Sequence, residues 1–136
     1  MNKYETAIHD VGDFGTNLLV AMLSLNVFWT SSIALLGISI GSAMLLLSYL
    51  GTVIVLARRR KGEDRRWEHS ARDALATMFG RLAVAVLVAF IAGLVALTIQ
   101  GFTLAGVLHA LLMLGSLIFS TKMWLRFKKR STRNNT

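Results

Sequence analysis

His109 is the one acidic, basic or imidazole side chain that lies well inside a long apolar run of this sequence. An ionisable group at membrane depth marks a functional site by default, here for a proton step or for a ligand. A proton step also needs an acid or a second histidine at that depth, and the apolar runs contain neither. We therefore expect His109 to be a neutral structural residue, and the functional role stays as the alternative.

Weakly polar residues recur along the first apolar run. Asn17, Ser24 and Ser31 follow one another at intervals of seven residues, and Asn26 lies close by. Seven residues make about two helical turns, so the three share one face of a helix. Polar groups in a membrane helix face a bundle interior or water. The spacing predicts hydrogen bonds between helices, with a narrow aqueous path as the alternative.

The sequence contains no recognisable motif for catalysis or for metal binding. His69 and Asp73 lie four apart on a predicted helix, but the neighbouring Glu68 projects elsewhere and does not complete a metal site. The chain has no cysteine, no glycine-rich phosphate loop and no HExxH motif. We expect a protein that is not an enzyme and that holds no metal and no cofactor.

Charge is confined to three islands, and the stretches between them predict membrane-spanning helices. Residues 14–57 and 82–121 contain no Asp, Glu, Lys or Arg. Each run is about twice the ~20 residues with which a helix crosses a bilayer. With 54% hydrophobic residues and a mean hydropathy of +0.58, the chain is predicted to be an all-α integral membrane protein. The net charge of +8 adjoins the spans, where it sets orientation, so no nucleic-acid partner is expected.

The second apolar run divides at Gln100–Gly101 into a helical hairpin. The first run must also bend, because a straight helix of its length would extend ~65 Å, about twice the hydrocarbon thickness. Its two candidate breaks are Trp29–Ser32, which is polar with an interfacial aromatic, and Gly37–Gly41, which relaxes a helix.

Spacing favours the glycine break. Gly37 lies 21 residues before Arg58, as Gly101 lies 21 before Lys122. The repeat predicts a single domain of two tandem transmembrane hairpins with both termini cytoplasmic. The predicted spans are 16–36, 39–57, 80–99 and 102–122, with a basic cytoplasmic segment at 58–78 and a basic tail at 123–136. The alternatives are three spans with an interfacial N-terminal helix at 14–28, and one long bent helix.

The basic segment is predicted to end one helix at Gly62 and to begin another, whose apolar stripe lies on the membrane surface or on a neighbouring helix. Arg81, one turn inside the third span, is expected to extend to the lipid headgroups. Anionic lipid headgroups are the expected partners of the basic residues beside the spans. These residues are Arg58, Arg59, Arg60, Lys61, Lys128, Lys129 and Arg130.

Two patterns of small residues predict close helix packing. Gly37 and Gly41 form one, and Ala85, Ala89 and Gly93 line one face of the third span. Such faces let helix backbones approach closely in lipid, either within one chain or between subunits. Gly37 and Gly41 no longer indicate helix packing if they form the turn.

These features lead to the expectation of a non-catalytic, oligomerising subunit of a larger bacterial assembly. A secretion or conjugation apparatus in the inner membrane is the expected setting, with a multi-pass topology and a cytoplasmic C-terminus, and a pilin-like filament subunit is included in this expectation. The layout of a short multi-span chain with a basic C-terminal tail is similar to that of phage holins and of conjugative pilins. A holin-like pore former and an immunity protein against a pore-forming bacteriocin are the alternatives.

Overall fold

The computed structural model describes residues 3–135, and the side chains of residues 3–129. The predicted headgroup residue Arg130 therefore lies outside the described side chains. Within the described range the chain forms four helices and no strand. They are α1 (Lys3–Phe28), α2 (Ser32–Arg59), α3 (Arg66–Gln100) and α4 (Leu104–Asn135).

All four helices are long and apolar enough to cross a membrane by length and composition. They contain 26, 28, 35 and 32 residues. At 1.5 Å per residue each exceeds the ~30 Å thickness of a hydrocarbon core. The prediction of four apolar helices is confirmed. Because α1 reaches back to Lys3, Asp13 lies within a helix and not before it.

The first hairpin turns at Trp29–Ser31, and the predicted break at Gly37–Gly41 is wrong. Ser31 begins α2 as its N-cap: its backbone is extended, and its Oγ accepts a hydrogen bond from the backbone N–H of Ala34 at 3.2 Å. A hydroxyl cap satisfies a donor that a helix start would otherwise leave unpaired. Because the turn lies there, the spans predicted at 16–36 and 39–57 give way to the helices α1 and α2.

The glycines of α2 pack against α1 within the same chain. A Cβ atom on Gly41 would lie 2.8 Å from the backbone nitrogen of Leu19 and 2.9 Å from the carbonyl oxygen of Gly15. A Cβ atom on Gly37 would lie 2.6 Å from Met22 Sδ. The small-residue pattern therefore acts as a close-packing face between α1 and α2, as such patterns do in lipid.

The basic segment is not a separate unit. Its first residues end α2, and after a loop with positive φ at Gly62 and Arg65 the chain enters α3, which runs without a break from Arg66 to Gln100. At the far end Gly101 takes a φ of 89°, which glycine adopts at little cost, and the chain reverses into α4. Phe79 on α3 stacks on Phe127 of α4, with ring centroids 6.0 Å apart.

The two hairpins pack side by side, and the contact between them is uneven. Helix α1 contacts both α3 and α4, and α2 contacts α3, while α2 and α4 do not meet within residues 3–135. The start of α1 and the end of α2 lie at one end of the bundle, together with the first turns of α3 and the end of α4. We call this the basic end, and the opposite end, with the connections at 29–31 and 101–103, the turn end.

The glycine contact between α1 and α2 predicts a specific stability loss. Gly41→Ala places a methyl group against the backbone of α1, and we expect it to destabilise the protein by about 1–3 kcal/mol, the usual cost of overpacking. Gly115→Ala on α4 is the matched control, because a Cβ atom there meets nothing within 4 Å. Thermal unfolding in detergent measures both variants. Equal melting temperatures would contradict the packing role of Gly41.

Candidate functional site

One face of α1 carries a line of polar side chains toward α3. Its members are Glu5, His9, Asp13, Asn17 and Ser24, which recur at about the period of a helix. Cavities lie along this line, two of them between α1 and α3 and the one at the basic end lined by α2 as well, and we call them together the α1–α3 crevice. The crevice has a charged part at the basic end and an apolar part toward the turn end.

Arg81 of α3 is the centre of the charged part. Its Nη1 donates a hydrogen bond to Ser48 Oγ of α2 at 3.3 Å, and its Nη2 contacts His9 Nδ1 of α1. Its Nε lies 3.2 Å from Asp13 Oδ1, at an angle that makes an ion pair but no hydrogen bond. One guanidinium therefore joins α3 to both helices of the first hairpin.

The backbone of α1 is shaped to admit this guanidinium. A Cβ atom on Gly12 would overlap both Arg81 Nη1 and Ser48 Oγ. Ser48 is itself fixed, because its hydroxyl donates to the carbonyl oxygen of Ile8 at 2.8 Å. His9 Nε2 lies 3.2 Å from Asp13 Oδ2, which closes the cluster of charged groups. The expectation that Arg81 extends to lipid headgroups is wrong, because its side chain is only 14% exposed.

Two further ion pairs bind the basic residues at the end of α2. Arg59 pairs with Glu5 of α1, and Arg60 pairs with Asp73 of α3. Both arginines, which are predicted to face lipid headgroups, also hold carboxylates of the same chain, and the Arg59 side chain stays 59% exposed. Arg58 forms no hydrogen bond or ion pair within the described part of the chain.

The apolar part of the crevice is a lateral groove of about 510 Å³. The polar residues Asn17, Ser24 and His109 and the small residues Ala85, Ala89 and Gly93 all line it. Two patterns that the sequence suggested separately thus meet at one site. A cavity of about 370 Å³ between Asp13, Asn17 and Arg81 connects the groove to the charged cluster.

His109 enters the groove from α4 and is 3% exposed. Its Nε2 lies 2.9 Å from Ser24 Oγ, so the two share a hydrogen bond whose direction depends on the imidazole tautomer. A Cβ atom on Gly93 would lie 2.6 Å from His109 Nδ1, so only glycine leaves room for the ring. Phe28 covers the ring with a centroid distance of 5.2 Å. Nδ1 has no hydrogen-bond partner in the described structure.

The remaining predicted residues lie outside the crevice. Ser31 caps α2, Gly37 and Gly41 pack against α1, and Asn26 Oδ1 is buried without a hydrogen-bond partner. Among residues 3–135 no group of three or more His, Cys, Asp or Glu side chains is placed to hold a metal ion.

Sequence reasoning missed the charged cluster. Asp13 lies before the first predicted span at 16–36, and Arg81 is predicted to extend to the lipid headgroups. One sequence feature does point to it: Glu5, His9 and Asp13 are spaced four apart, which puts three titratable groups on one helix face. Comparison with known proteins adds nothing to this site, because no family model, curated protein or solved structure matches the chain.

The bridge made by Arg81 predicts a stability difference between two arginines. Arg81→Met removes the partner of Asp13 and His9, and we expect a loss of about 1.5–3 kcal/mol, typical of hydrogen bonds to charged groups. Arg72→Met is the matched control, since Arg72 pairs with Glu68 on the surface of the same helix. An exposed pair of this kind contributes about 0.3–0.5 kcal/mol. Equal melting temperatures for the two variants would count against the bridge.

The fit of His109 against Gly93 predicts non-additive effects. Gly93→Ala should push the imidazole away from Ser24 and lower the melting temperature, whereas in a His109→Ala background the added methyl group has room. We expect a coupling energy of about 0.5–3 kcal/mol between the two positions. The wild type, both single variants and the double variant are unfolded in the same detergent. Additive losses would show that the ring does not contact Gly93.

Proposed function

We propose that this protein is a non-catalytic, oligomerising membrane subunit of a larger assembly in the bacterial inner membrane. A secretion or conjugation apparatus is the proposed setting, with the basic end and the C-terminus in the cytoplasm, where the positive-inside rule puts Lys and Arg. The observation that carries the proposal is the lateral groove between α1 and α3. Its proposed occupant is a membrane-spanning helix of a second copy of the chain.

The wall of the groove suits a helix. Ala85, Ala89, Ala92 and Ala96 lie along it at helical spacing, and alanines let a second backbone approach closely. In lipid this close approach matters because the bilayer supplies no hydrophobic drive for association. Asn17 is exposed in the groove, where it can form a hydrogen bond with an incoming helix.

The chain also offers surfaces that fit such a groove. Each helix buries only 17–22% of its most apolar 18-residue stretch within the bundle. Large side chains therefore remain on the outer faces, such as Leu36 and Leu47 on α2 and Leu111 on α4, each more than half exposed. A ridge of leucines on one copy and a groove of alanines on another are complementary in shape.

A non-catalytic role is part of the proposal. The ionisable groups of the charged cluster are engaged with one another, which leaves none of them available as a general base. Ser24 shares its hydroxyl with His109, but the groove offers no acid to orient the imidazole.

The groove can be tested by filling it. We expect the wild-type protein, expressed alone and extracted into nanodiscs, to have the native mass of a defined oligomer, and Ala92→Phe to give a monomer. Leu94→Phe is the matched control, because Leu94 is exposed on α3, the same helix as Ala92, and does not line the groove. A monomeric wild type, or equal masses for both variants, would refute self-association through the groove.

A holin-like pore is the second candidate, and the polar line of α1 favours it. Asn17 is exposed, and Ser24 and His109 lie in the same groove, so an oligomer with these residues turned inward would surround a polar path. Expression with a potential-sensitive dye separates the two functions. A subunit of an assembly leaves the membrane potential intact, whereas a pore former collapses it and arrests growth.

A further inference from the structure

A second cleft, unrelated to the groove, opens at the basic end between α1 and α2. It has a volume of about 460 Å³. Ile8, Gly51, Ile54 and Val55 form its apolar walls. Tyr4, Glu5, Arg58 and Arg59 line its polar part. The cleft thus joins an apolar slot to a cationic rim.

The charges at this rim do not balance. Arg59 is paired with Glu5, so that these two side chains together carry no net charge. Arg58 is exposed and has no counter-charge among the described residues, and it follows directly after the apolar part of α2. An anionic group at the rim would meet one uncompensated guanidinium, which forms two parallel hydrogen bonds to a phosphate.

The position of the cleft indicates where such an anion comes from. The cleft lies where apolar helix surface gives way to basic residues, which is the depth of phospholipid headgroups in a bilayer. Tyr4, 81% exposed, stands at its edge, and tyrosine favours this interface. In the slot Ile8 packs directly against Gly51, where a Cβ atom would lie 3.1 Å from Ile8 Cδ1.

We propose that this cleft binds one anionic phospholipid, with its phosphate on Arg58 and one acyl chain lying along Ile8 and Ile54. The site is independent of the lateral groove, with which it shares no lining residue, and of the function proposed for that groove. Arg58 differs from its neighbours in sequence, because Arg59 and Arg60 pair with carboxylates of the same chain.

The experiment is native mass spectrometry of the full-length protein, titrated with phosphatidylglycerol and phosphatidylcholine of identical acyl chains. We expect one tightly retained phosphatidylglycerol per chain. Arg58→Gln should lower the retained ratio of phosphatidylglycerol to phosphatidylcholine about fivefold, the effect of one basic residue at an anionic surface. Arg126→Gln is the matched control, since Arg126 is exposed on α4 away from the cleft.

A second variant tests the apolar slot without changing any charge. Ile54→Trp fills the cleft and should abolish retention of the tightly bound lipid, while the same spectra report whether the oligomer is intact. Equal losses for Arg58→Gln and Arg126→Gln would overturn the proposal in favour of diffuse attraction to the basic end. Unchanged retention by Ile54→Trp, or equal retention of the two lipids by the wild type, would overturn it as well.

Discussion

The guanidinium of Arg81 must be paired and hydrogen-bonded, and this requirement determines how the two hairpins meet. A guanidinium beside apolar helix surface is costly unless it is paired and hydrogen-bonded. Helix α1 supplies Asp13 and His9, α2 supplies Ser48, and Gly12 leaves the space that the side chain occupies. The second hairpin is therefore docked on both helices of the first at one depth.

Nearer the turn end a second polar contact, between His109 and Ser24, joins the hairpins again. These two contacts hold α1 against α3 and α4, and the small side chains between them leave space unfilled. The lateral groove follows from this arrangement: it is the volume that alanines fail to occupy between two fixed polar contacts. This unfilled volume is the site at which we propose that another helix packs.

Helix content and the polar residues of the groove could be predicted from the sequence because both depend on local periodicity. Charge-free stretches indicated helices of membrane length, and the spacing of Asn17 and Ser24 put them on one face. The first turn could not be found this way. Glycines at Gly37–Gly41 suit either a break or a close contact, and the helix packed against them decides which of the two forms. The spacing between the two apolar runs favoured the glycines over the polar stretch Trp29–Ser32, where the turn lies. The cluster around Arg81 was missed because its members lie up to 72 residues apart.

The most direct test of this arrangement is a disulfide cross-link between α1 and α3 in native membranes. The chain has no cysteine, so the pair Val20→Cys and Ala85→Cys, two buried residues of the same core cluster, can be introduced alone. After oxidation, trypsin cuts the exposed loop at Lys61. We expect the two hairpins of the Val20→Cys, Ala85→Cys variant to stay joined, at the mass of one chain, until the disulfide is reduced. In the control variant, Val20→Cys with Leu111→Cys on the outer face of α4, the two hairpins should separate. Separation of both pairs would contradict the contact between α1 and α3 on which the crevice depends.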